Sequence, residues 1–405
     1  MFEDGNNTAE RYISILNNYK KKYKTNKITI FYQIGDFYEI YGLEYPDGSI
    51  VGNIYEISND LSIQMACKST TVYGDSSIKV LMSGVQINSL DKYVSIAVND
   101  FSWTVVIYEQ VKEANKITRQ LKNIVTPGLN LNTNNSTNIL LVIYLDKVNS
   151  LVNKNQHTLY CGISYIDSLT GESGVLQYPQ REQMNDAIIY DEIIKFITIK
   201  NPQEIKVYTK NLGLTESKIA DTLHLQNYNY SLEIDNLNKD YIKKDFQENI
   251  FNKIYTNTTK QHIFNYLEIY NDHHIKVVLT IILEYIIKVN LNLLHRIKKP
   301  IKVYNNSNNL ILGNNSLEQL NIVSNIKKTN SFSKTNKSLL EILDKTDSIL
   351  GKRLFRNRLM NPITDIEILN NRYNITEIFI GFPESIFSFK RFIRLLNILS
   401  YSFDR

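Results

Sequence analysis

Phe37 and Glu39 stand two residues apart in the run FYQIGDFYEIYG, residues 31–42. In an extended strand that spacing turns both side chains to one face and Tyr38 to the other. The Gly35-Asp36 pair before them is a turn signal and lets the strand start sharply at an edge. An exposed aromatic ring at such an edge can enter a weak base step, unstack it and help kink a duplex. A carboxylate beside phosphates is repelled. It makes sense there as an acceptor for a free donor on a displaced base edge, and paired bases offer few such donors in the minor groove. Taken alone, Phe-x-Glu fits a core aromatic and a surface acid on an ordinary strand better. The surrounding sequence has to decide.

The elements that must position this pair are legible from their periodicity. Tyr12, Ile15, Leu16, Tyr19 and Tyr23 have helical spacing, and Ile28–Ile34 is β-branched and aromatic, as strands are. Phe37–Tyr41 reads as a second strand, Leu90–Val98 as a helix and Trp103–Tyr108 as a strong strand. Val125-Thr-Pro-Gly128 stops this first segment, and the polar, Asn-rich stretch 129–138 is a linker or loop. Between 139 and 246 the strand-like runs ILLVIYL, TLYCGISYI, GVLQY and IKVYT surround a helical pattern at 186–199, which implies an α/β domain. Asp167–Gly171 is the turn between two of those strands. From about Phe251 the pattern is helical. Lys276, Thr280, Glu284, Lys288 and Asn292 recur every fourth position, a narrow solvent stripe on a helix otherwise buried. Asn305–Asn309 and Ser324–Lys337 read as solvated loops, the second carrying Lys327, Lys328, Lys334 and Lys337. Ser338 onward is helical again. There is no internal repeat.

Composition bounds the function class. The 405 residues suggest several domains. A hydrophobic fraction of 43% and a charged fraction of 21% are those of a folded chain. The net charge of +5 permits a nucleic-acid partner through a local basic patch without arguing for one. Abundant Asn, Ile and Lys beside 27 Tyr reflect A/T-rich codons more than function. Cys67 and Cys161 give neither a disulfide framework nor a zinc knuckle and read as two buried, reduced thiols, which fits an intracellular, reducing compartment. The N-terminus has no apolar signal region, and three charges interrupt the apolar run at 275–294, so no membrane span is expected. Asp167, Asp186, Asp191 and Glu192 raise the question of a metal-dependent nuclease. They fall on a turn and one helix face and read as solvated charges, so no metal site is expected.

Six collinear segments carry a family resemblance. FYQIGDFYEIYG resembles the start of the mismatch-binding domain of the MutS family of DNA mismatch repair proteins. MSGVQINSLDKYV (82–94), VVIYEQ (105–110) and IVTPG (124–128) are similar to later segments of that domain. DSLTG (167–171) resembles a turn of the family's connector domain, and SLLEILDKTDSILGKRLFRNRLMNPITD (338–365) resembles the opening of its lever domain, with Arg372 as a following arginine. The resemblance implies a multidomain α/β plus α protein. Residues 1–128 would form a mixed α/β mismatch-binding domain, 129–250 an RNase H-like α/β connector, and 251–405 part of a mostly helical core or lever.

It also implies that the chain binds double-stranded DNA with mismatches or small loops, with Phe37 as the wedge and Glu39 as the base-edge acceptor. Lys68 sits where the family has a basic residue. With Lys79, Arg119 and Lys122 it is a candidate for backbone contacts, which supply the salt-dependent part of affinity. Asn88 and Gln86 replace a family histidine and proline, and Asn123 a family arginine, while Leu43–Asn53 looks like an insertion similar to those of MutS branches from large DNA viruses and organelles. The family's ATP and Mg2+ bind a C-terminal domain. No G-x-x-x-x-G-K-[ST] occurs in these residues, so no cofactor and no ATPase activity are expected of this chain, which reads as an N-terminal fragment or the product of a split or truncated gene. A second MutS-like subunit or a separately encoded ATPase half would be its protein partner. The alternative is a divergent paralogue that binds branched DNA or serves as a docking platform.

Overall fold

Helix α1 (Thr8–Tyr23) opens with an Asn7 cap, whose side chain accepts from the Ala9 amide, and buries one face through Tyr12, Ile15, Leu16 and Tyr19. In the computed structural model the described residues are 7–68, 70–113, 116–131, 137–149, 157–179, 185–255, 261–303, 310, 316–322, 337–382 and 387–392. The expected loop at 305–309 lies outside them, as does 324–337 except for Lys337.

The face of α1 packs on a sheet built from β1 (Ile28–Ile34), β2 (Phe37–Glu44), β3 (Ile50–Val51), β4 (Met65–Lys68), β5 (Lys79–Gln86), β6 (Thr104–Glu113) and β7 (Lys116–Val125). The order is β4-β5-β2-β1-β6-β7, with β3 paired to the end of β2. Only β1 and β6 run parallel. The stretch 43–53 that reads as an insertion is this short hairpin, with Leu43 opposite Val51 and Glu44 opposite Ile50. Helices α2 (Ile54–Leu61) and α3 (Leu90–Asn99) cover the other face. There the Ser58 and Ser83 hydroxyls meet at 2.9 Å.

The second sheet contains β8 (Ile139–Asn149), β9 (His157–Asp167), β10 (Ser173–Tyr178), β11 (Glu204–Lys210), β12 (Tyr230–Ile234) and β13 (Ile301–Lys302), in the order β12-β11-β8-β9-β10-β13. The strands β8, β9 and β10 are antiparallel; β11 and β12 run parallel to β8. Leu141, Ile143 and Leu145 of β8 pack with Ile189 and Ile193 of α4 (Asp186–Lys200), and the alternating Leu140, Val142 and Tyr144 join the other core. Burial on both faces explains why β8 reads as an unbroken apolar run. After α5 (Glu216–Thr222), α6 (Lys244–Ile254) and α7 (Ile263–Tyr266) comes α8 (His273–Val289), which lies against β8 and β9. β13 also joins this sheet, so residues on both sides of 250 build it.

Two expectations are corrected here. The stripe on α8 is a solvent face only in part: the Lys288 side chain is 49% exposed, but the middle of the stripe is taken up by the protein. Thr280 is fully buried and donates to the Lys276 carbonyl at 2.7 Å, and Glu284 takes the Tyr241 hydroxyl at 2.6 Å as well as Lys288 at 2.8 Å. The helix also ends at Val289, where the Asn290 side chain caps a following 3-10 turn. Of the two thiols only Cys161 is buried; Cys67 lies exposed on the edge strand β4.

The sheets are joined by a buried polar knot. Glu204 accepts from the Tyr285 hydroxyl at 2.7 Å and from the Gly128 amide at 3.2 Å. Lys206 lies 3.4 Å from the same carboxylate and 4.1 Å from the Tyr285 ring centroid, and Tyr23 of α1 meets that ring edge-on. Farther along, α9 (Ser316–Gln319), α10 (Leu339–Leu343), α11 (Ile349–Met360) and α12 (Ile366–Gly381) form the helical end. Ser338 and Glu341 make a capping box at the start of α10. No helix among the described residues is long and apolar enough to cross a membrane.

Candidate nucleic-acid interface

The β1–β2 turn is a two-residue hairpin in which Ile34 pairs with Phe37. Gly35 adopts φ +59°, the left-handed conformation such turns require and side chains resist. Two glutamines pin it. Gln33 donates to the Gly35 carbonyl at 3.2 Å and accepts from the Gln110 amide at 2.8 Å, while the Gly35 amide donates to the Gln110 side chain at 3.2 Å. The Asp36 carbonyl accepts from the Ile87 amide at 3.1 Å. Phe37 therefore leaves a turn held from β1, from β6 and from the 3-10 turn that follows β5. The residue is 45% exposed, and Ile87, beyond its cross-strand partner Gln86, is exposed too.

Glu39 shares that face but not that exposure: the residue is 8% exposed. Its Oε2 accepts the Tyr41 hydroxyl and pairs with Lys68 Nζ at 2.9 Å. Lys68 also donates to the Tyr41 hydroxyl at 3.1 Å. Burial, and then the neighbouring Glu39, push the Tyr41 hydroxyl well above its ordinary pKa, so it stays a donor at neutral pH. Across β5 the residue opposite Glu39 is Gly84. A Cβ there would stand 3.1 Å from the Tyr38 carbonyl oxygen, a tight contact with backbone, and at an ordinary 3.6 Å from Glu39 Cγ, so glycine eases the approach of β5 to β2. Tyr38 points to the opposite face and is buried.

The other basic candidates are not gathered at this carboxylate. Arg119 donates to the Gln33 carbonyl at 3.1 Å, with its guanidinium 5.2 Å from the Tyr32 ring centroid. It thereby braces the turn that carries Phe37. Lys79 pairs with Glu44 at 3.3 Å and Lys122 with Glu109 at 2.8 Å, both with exposed ammonium groups. The Glu109 hydrogen bond raises the Lys122 pKa. Exposed pairs of this kind are worth little, so either lysine can exchange its carboxylate for a phosphate at small cost. Tyr41 escapes a reading for chemistry because it looks like another strand aromatic. The available signal is its spacing, two residues beyond Glu39 on the same face.

The acidic residues of the second sheet do not converge. Asp167 is buried and caps its turn, accepting from the Asn138 and Leu169 amides, so it is not the solvated charge expected of it. Asp186 pairs with His157 at 2.9 Å. Among the described residues no group of three metal-ligating side chains is present.

Two family models match in order along the chain: MutS domain I over residues 14–134 and MutS domain III over 315–397. The first contains Phe37, Glu39 and all four basic candidates.

The chain belongs to the MutS family.

It is 26% identical over 364 residues to a putative DNA mismatch repair protein, a mutS homolog of Acanthamoeba polyphaga mimivirus, an alignment that covers 84% of this chain and 32% of that protein. It is 25% identical over 380 residues to the DNA mismatch repair protein MutS of Clostridioides difficile, covering 91% and 33% of the two chains. The MutS of Caldanaerobacter subterraneus subsp. tengcongensis is 25% identical over 395 residues, covering 93% and 38%. The chain thus spans about a third of the length of these MutS relatives.

Proposed function

We propose that this chain is a lesion-sensing part of a mismatch repair protein, binding double-stranded DNA that carries a mismatch or a small loop. The observation that carries the reading is Phe37: a large apolar residue left 45% exposed at the tip of a braced hairpin, inside the segment matched by MutS domain I. The ring enters a weakened base step, and a mismatch lowers the cost of unstacking, so discrimination comes largely from deformability. Glu39 lies on the same face and accepts from the displaced base edge. Lys79 and Lys122 supply backbone contacts and the salt dependence that goes with them. The second sheet, with its first three strands antiparallel and the next two parallel to the first, supports the reading of an RNase H-like connector. No nucleotide site is proposed within these residues.

The test is a titration of the chain against a labelled duplex with one unpaired T and against its matched counterpart, at one stated salt concentration. The chain is expected to favour the lesion, and Phe37→Ala to bring the two affinities to within about twofold of each other. A preference that survives Phe37→Ala would sink the wedge assignment. Tighter binding of a four-way junction than of the lesion would favour a branched-DNA binder instead.

A further inference from the structure

Both donors to the Glu39 carboxylate fall on one oxygen. The Tyr41 hydroxyl and the Lys68 ammonium each reach Oε2, and Oε1 takes no hydrogen bond among the described residues. The three side chains close on one another, because Lys68 also donates to the Tyr41 hydroxyl and lies 5.1 Å from its ring centroid. Tyr41 itself cannot yield. It is 2% exposed, and its ring meets Tyr12 of α1 edge-on at 5.5 Å. Opposite Glu39 on β5, Gly84 has no side chain to offer the carboxylate as a partner.

We infer that Tyr41 and Lys68 are positioning residues for Glu39: they occupy Oε2 and leave Oε1 as the acceptor that a displaced base edge meets. The inference rests on the reading that Glu39 faces DNA, and it assigns Lys68 to the carboxylate rather than to the phosphate backbone. Two physical consequences make the arrangement useful. The carboxylate is ordered before DNA arrives, so little side-chain freedom is lost on binding. The ammonium beside it also makes the pair neutral as a whole, so nearby phosphates do not repel it.

The test uses the full chain, the unpaired-T duplex and its matched counterpart, over a salt series. Tyr41→Phe removes one oxygen and keeps the ring in its packing. It is expected to lower the lesion-to-matched affinity ratio about tenfold, or to unity if the ratio is smaller than that, with matched binding unchanged. Lys68→Met is expected to weaken binding to both duplexes in the native background. In a Glu39→Gln background it should change neither affinity nor the slope of log K against log salt. A phosphate contact at Lys68 would instead reduce that slope by about 0.9 in either background, and that result overturns the assignment of Lys68. An unchanged ratio in Tyr41→Phe overturns the role of Tyr41. If Phe37→Ala and Glu39→Gln also leave the ratio unchanged, the mismatch-binding reading itself has failed and this inference falls with it. Melting curves of each variant separate loss of fold from loss of recognition.

Discussion

Phe37 and Glu39 came from one motif and one face of one strand, yet their surroundings differ. Phe37 is 45% exposed directly after the braced Gly35-Asp36 turn, whereas the Glu39 carboxylate is buried against Tyr41 and Lys68. The turn is local and could be read from the residues themselves. The partner of Glu39 could not, since Lys68 lies 29 positions away and meets it through the β5 register. A second buried carboxylate makes a prediction at this scale. Asp146 is 3% exposed, and burial alone raises its pKa; His274 at 3.4 Å, the charge of Lys210 and the Tyr144 hydroxyl outweigh that, so the net shift is downward. A carboxyl held below its unfolded value stabilises the fold above that value, about pH 3.9, and the contribution is lost as pH falls through the folded value. Asp146→Asn should therefore flatten the acid limb of a stability–pH curve below about pH 4. An acid limb as steep as that of the native chain would contradict this.

At the scale of elements, strand and helix identities were legible wherever one periodicity governed a segment. β1 runs from Ile28 to Ile34 as its β-branched run suggests, and α4 opens at Asp186 behind its Asn185 cap. Helix α8 departs from its expected solvent stripe at Thr280 and Glu284, which find protein partners rather than water, and sequence spacing does not distinguish the two. Burial of charge matters most where α8 meets β11. Glu204 and Lys206 are both nearly inaccessible, and each is tolerated because the other, with Tyr285 and the Gly128 amide, compensates it. Removing one member of such a pair strands its partner, at a cost of about 3–5 kcal/mol. Glu204→Ala is expected to destabilise the chain by that order in urea unfolding. Lys206→Met should cost less, because Glu204 keeps two hydrogen-bond donors. Equal and negligible effects would remove the knot from the account of how the sheets are held.

At the scale of the whole molecule, the two sheets are joined where the Gly128 amide meets Glu204 and the Tyr23 ring meets Tyr285, and by the surface pair Lys24–Glu233, so the domain that carries Phe37 is docked on the second sheet through named contacts. The order of the sheets followed from the sequence, since a Pro-Gly stop at 127–128 and a polar stretch separate two strand-rich regions. Their mutual docking did not, because it depends on residues of α1, β11 and α8 that lie far apart along the chain. A fixed platform is what a wedge needs, since the force that unstacks a base must be borne by the protein. The most direct test places 2-aminopurine beside a single unpaired T in the duplex. Its fluorescence is expected to rise when the native chain binds, because the flanking base loses its stacking, and to stay at the free-duplex level with Phe37→Ala at saturating protein. An equal rise with the alanine variant would show that the base is unstacked without the ring, and would contradict the central claim.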